Sequence, residues 1–193
     1  MSLLSQLALR HAGSLLTGRP APAGRPDIPT AALEHMTGEP EACDSDLVEP
    51  AKMLTLCLLA DRCDGSALAQ LEAGVDEHVD LWTPALHTTS RFALVSALTG
   101  IDDSLTDVKV TFTGALQQGW TTMLVWLATG RFSRPAFFDD DHLIEPTGAV
   151  IRVAGVTSVS FSAGRRADRI RCYYDRLSVI EQMATLHASG RRD

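Results

Sequence analysis

The chain has 193 residues, 45% hydrophobic and 21% charged, which is the balance of an ordinary globular protein with room for one sizeable core. A formal net charge of −7 carries no basic footprint and argues against a nucleic-acid partner, and no apolar run reaches the roughly 20 residues needed to cross a bilayer. The cysteines at 43, 57, 63 and 172 have no CxxC spacing, so they read as reduced thiols of a cytoplasmic protein.

Residues 1–26 hold Arg10, Arg19 and Arg25 and no acid, a composition shared by transit peptides and by short amphipathic helices. Leu3, Leu4, Leu7, Leu15 and Leu16 suit the latter. Four prolines between Gly18 and Pro29 make a linker, and residues 30–49 are weakly patterned, with a short helix expected at 30–36. From Pro50 the character changes. PAKMLTLCLLADRC reads as a buried helix with Pro50 in its first turn, and SALAQLEAG as a second helix ending at Gly74. VDEHVDLW is a strand stopping before Pro84. TTSRFALVSALTG is a helix capped by Thr88 or Thr89, with Phe92, Leu94, Val95 and Leu98 on its apolar face.

Beyond this the chain is rich in strands: DVKVTFTG, WTTMLVWLATG, GAVIRVAGVTSVSFS and ADRIRCYYD, separated by turns of Gly, Ser and Asp. A last helix covers 176–188, with Leu177, Ile180, Met183 and Ala184 as its stripe. The order predicts an α+β plan, with helices packed on one face of an antiparallel sheet.

Alternation places Arg171, Tyr173 and Asp175 on one face of the last strand. Asp175 directly precedes a helix and suits an N-cap. In a cavity, the same carboxylate would have a raised pKa and suit proton transfer near neutral pH. Arg152 and Arg171 lie in strands, where an inward arginine needs an anion and an outward one needs nothing. Trp126 is either core or a wall for a flat substrate. His142 follows Asp139, Asp140 and Asp141 in a loop that reads as exposed rather than metal-binding.

From residue 50 onward the chain resembles the SnoaL-like polyketide cyclase family of the nuclear transport factor 2-like (NTF2-like) superfamily. The carrying segments are residues 59–87, PTGAVIRVAGVTSVSF at 146–161 and YYDRLSVIEQM at 173–183. The resemblance divides the chain into an extension, 1–49, and a SnoaL-like domain, 50–193. It implies a cone-shaped α+β roll, a curved and mostly antiparallel sheet with helices on its concave face. It also implies cofactor-independent, acid–base ring closure or isomerisation of a polyketide-type, largely apolar substrate in secondary metabolism.

In that reading Asp175 is the general acid/base. His87 and Arg91 assist at the developing enolate, and Trp82, Trp126, Tyr173, Arg152, Arg171 and His142 contact substrate. No metal or cofactor is required. A homodimer is implied through the outer face of the sheet, with Ile170, Cys172 and Tyr174 toward the partner. The uncharged strand WTTMLVWLA lacks the acid and arginine that epoxide opening on this fold uses. The alternatives are a non-catalytic ligand-binding or protein-interaction domain on the same fold, and an enzyme that opens an epoxide by other residues or forms a ring by spirocyclisation or cycloaddition.

Overall fold

The structure is a computed structural model that describes residues 46–59, 65–84, 86–98, 104–137 and 143–189. The helices expected at 1–16 and 30–36 lie outside the described residues. The first helix, α1 (Val48–Leu59), buries Ala51, Leu54, Thr55, Leu58 and Leu59, the spacing of one helical face. Asp46 accepts the exposed Val48 N–H at 2.9 Å, and Leu47 donates its own N–H to Gln117 Oε1 at 2.9 Å. Leu47 is fully buried, so the core begins inside the expected extension. The helix α2 (Gly65–Gly74) runs directly into β1 (Val75–Trp82).

After β2 (His87–Thr88), α3 (Arg91–Leu98) is capped by Ser90, whose Oγ accepts from Ala93 N–H at 3.3 Å, rather than by either threonine. The expected apolar face also needs correction. Leu94 and Leu98 are buried, but Phe92 is 82% exposed, because an eight-residue helix presents only two turns to the core.

The long strands are β3 (Leu105–Gln118), β4 (Thr121–Phe132), β7 (Val150–Phe161) and β8 (Ala167–Tyr174). A two-stranded ribbon, β5 (Ala136–Phe137) and β6 (Leu143–Ile144), sits apart, and α4 (Arg176–Ser189) closes the chain. The main sheet has the order β2-β1-β8-β7-β4-β3. Every pairing in it is antiparallel except β1 with β8, which is parallel. Its strand β3 starts two residues earlier than the pattern suggests. A bulge at Asp107 (φ +54°) absorbs the register shift between Thr106 and Lys109.

The four described helices lie on one face. Two core clusters fill the space beneath them, one formed by α1–α3 with β1, the other centred on Trp126 and closed by Val179 and Met183 of α4. The expected α+β roll with helices on one face of a mostly antiparallel sheet is the fold observed, and its sheet is open rather than closed into a barrel. No described helix is long and apolar enough to cross a membrane.

Candidate functional site

The phase of β8 decides where every candidate in the last strand goes. Ile170 and Cys172 are buried, and Tyr174 packs against the cluster beneath α4. They cannot face a partner, which corrects that expectation. Arg171 and Tyr173 therefore point to the opposite, outer face. Asp175 is exposed, and its Oδ1 accepts the Ser178 N–H at 3.1 Å. It caps α4 in solvent instead of ending in an apolar hollow, because the first turn of a helix has unpaired N–H groups that a short carboxylate reaches directly.

On the outer face four of the expected site residues meet, together with one the sequence reading missed. The parallel register pairs Trp82 of β1 with Arg171 of β8, and β1–β2 pairing sets His87 beside Trp82. Arg171 Nη2 bonds Asp80 Oδ2, and Nη1 donates to the Asp80 carbonyl at 2.8 Å. His87 Nε2 lies 3.4 Å from Asp80 Oδ1. The Trp82 and Tyr173 rings stand 5.2 Å apart, tilted by 40°.

The Arg171 guanidinium holds the Asp80 carboxyl below the usual carboxylate range; partial burial opposes this, and His87 adds to it. Asp80 is thus ionised at neutral pH and fixes a guanidinium and an imidazole beside two aromatic rings. One signal in the sequence could have found it: strand alternation puts it on the same face as Trp82.

The interior holds a different set. Trp126 is 1% exposed and donates its indole N–H to Thr157 Oγ1 at 2.9 Å; Thr157 in turn lies 3.6 Å from Cys172 Sγ. Tyr174 stands 6.3 Å from the indole. Gly155 makes room for it: a Cβ there would come within 2.3 Å of Trp126 Cζ2 and 2.7 Å of the Tyr173 carbonyl. Burial pushes the Cys172 thiol up to about 11 and raises the Tyr174 phenol further, so both are protonated at neutral pH. Among the described residues, no carboxylate and no histidine is buried.

The remaining candidates scatter. Arg152 is exposed, and its backbone is clasped by Gln182, whose side chain accepts from its N–H and donates to its carbonyl, both at 2.9 Å. Arg91 lines a separate cleft of about 350 Å³ with Glu72, Glu77, His78 and Phe92. His142 and the aspartates before it lie outside the described residues. Among the described residues, no group of three or more His, Cys, Asp or Glu side chains is placed to hold a metal.

No family model and no curated protein matches the chain. Solved structures do. A protein from Jannaschia sp. CCS1 assigned as a SnoaL-like polyketide cyclase superposes with a TM-score of 0.57 at 13% identity, over 75% of this chain and 98% of that one. One from Acidithiobacillus ferrooxidans assigned as a polyketide cyclase gives 0.56 at 17% identity, over 75% and 99%. AclR from Streptomyces galilaeus, assigned as a hydroxylase, gives 0.51 at 10% identity, over 72% and 87%. The fold is therefore the one these two proteins assigned as polyketide cyclases share, and the chain spans nearly their whole length.

Proposed function

We propose that this chain is a non-catalytic NTF2-like domain, a ligand-binding or protein-interaction module that pairs as a homodimer through the outer face of its sheet. One observation carries the reading. Trp82, Met123, Val125, Leu127 and Tyr173 share the helix-free face and remain 38–51% exposed, while the indole of Trp126 occupies the interior. A contiguous apolar face rimmed by charged groups is the composition of an interface. Sedimentation equilibrium tests it. The expected result is a dimer that Val125→Lys converts to a monomer with an unchanged far-UV spectrum. A wild-type monomer at the highest workable concentration overturns it.

The Asp80–Arg171–His87 group favours a second reading, a cofactor-independent cyclase or isomerase acting on a small, polyketide-type substrate. There His87, held by Asp80, removes a proton beside a carbonyl and returns it. Arg171 stabilises the enolate oxygen, and Trp82 and Tyr173 cover the apolar part of the substrate. Exchange of the acidic C–H of a β-diketone in D₂O checks this. Exchange above the buffer rate, lost in His87→Ala, supports it; exchange no faster than buffer removes it and leaves the pairing reading untouched.

A further inference from the structure

One corner of the helix-free face concentrates positive charge. Thr129 and Arg131 of β4 and Arg152 of β7 alternate with the buried Ala128, Phe132, Ile151 and Val153, so they point outward. Register sets Thr129 between Lys109 of β3 on one flank and Arg152 on the other, and Arg131 follows two residues along β4. At sheet spacings the flanking cations stand about 10 Å apart with the threonine midway, and Arg131 about 7 Å from it, within reach of long side chains. Two of the cations are steadied. Arg131 Nη1 donates to the Gly148 carbonyl at 2.7 Å, and Gln182 holds the Arg152 backbone at both its N–H and its carbonyl. No carboxylate among the described residues pairs with Lys109, Arg131 or Arg152, Asp107 in the neighbouring bulge included. The Thr129 hydroxyl likewise has no partner among the described residues. The corner thus carries three positive charges with nothing to offset them, in a chain whose net charge is −7.

We infer that this corner binds the phosphate group of a small phosphate ester. An outward arginine alone needs no anion, but three cations on adjoining strands repel one another, and an anion among them relieves that repulsion. An amine adds to the repulsion, and a neutral ligand leaves it in place. Among anions, a carboxylate brings one charge and two oxygens. A phosphate ester brings close to two charges and three strong acceptor oxygens, which serve two guanidinium groups, an ammonium and a hydroxyl together. Arginine forks also match phosphate geometry. The three cations surround a single hydroxyl, an arrangement fitted to one head group. The body of the ester then lies over Leu127 and Ala154, which share this face one step nearer the apolar patch. The site is separate from the Asp80–Arg171–His87 group and does not depend on pairing.

Phenyl phosphate is the probe, with benzoate as its singly charged counterpart, both titrated into the full chain at one ionic strength and followed by calorimetry and amide chemical shifts. Phenyl phosphate is expected to move the amides of Lys109, Thr129, Arg131 and Arg152 and to bind about tenfold tighter than benzoate. Arg152→Gln and Lys109→Gln should each weaken phenyl phosphate about tenfold, the loss of one charge-assisted contact. Neither should change the far-UV spectrum, since both side chains are exposed. Added sodium chloride should weaken binding, because the site is open to solvent. The inference is overturned by equal affinity for benzoate and phenyl phosphate, by undiminished binding in both variants, or by shifts confined to Trp82 and Tyr173. Binding to vesicles that carry phosphatidate, with none to phenyl phosphate, would also overturn it and give the corner to a membrane surface.

Discussion

Asp175 follows the last strand and Asp80 lies within the first, and their surroundings give these two aspartates different work. Asp175 stays in water and satisfies a backbone N–H of α4. Asp175→Ala should cost about 1 kcal/mol in urea unfolding, whereas Asp175→Asn, an equally good cap, should stay within a few tenths. Asp80 is held ionised by Arg171, so its contribution to stability is fully present above the unfolded carboxyl pKa of about 4. That contribution is lost as pH falls through its lower folded value. Asp80→Asn should therefore lower the melting temperature at pH 7 and flatten its fall on acidification. An acid limb identical to wild type would show that the pair contributes nothing. The sequence asks for an anion only if Arg171 faces inward; it faces outward and is paired all the same, because Asp80, 91 positions away, is brought beside it across a parallel strand pair that no local pattern announces.

At the scale of elements, β4 and β7 meet where Trp126 lies opposite Gly155. The glycine is a requirement of the indole: a methyl group there would strike the six-membered ring. Gly155→Ala should destabilise by about 1–3 kcal/mol or more, as overpacking does. Trp126→Phe in the same chain should recover part of that loss, since the smaller ring retreats from the clash. A double-mutant cycle measures the coupling, and strict additivity would refute the contact. The long strands and helices were readable because alternation and helical spacing repeat several times in each. The two-residue strands β2, β5 and β6 carry no period to read.

For the whole molecule, the asymmetry between the two sheet faces is the main feature. One is sealed by helices; the other carries exposed Met123, Val125, Leu127 and Tyr173 in a connected patch. If two copies bury that patch together, folding is linked to association. The melting temperature should then rise with protein concentration, and Val125→Lys should make it independent of concentration. A concentration-independent wild-type value would count against pairing.

The sequence by itself determined the α+β order, the four long strands, the terminal helix and the likeness to the SnoaL-like fold. Each is written in local periodicity or in short contiguous segments. Tertiary structure alone decided which side of β8 turns inward. A strand's alternation defines two faces but does not label them, and the label comes from what packs on the sheet. With Cys172 beneath α4, Arg171 and Tyr173 go outward to join Asp80, Trp82 and His87, and Asp175 is left to cap a helix.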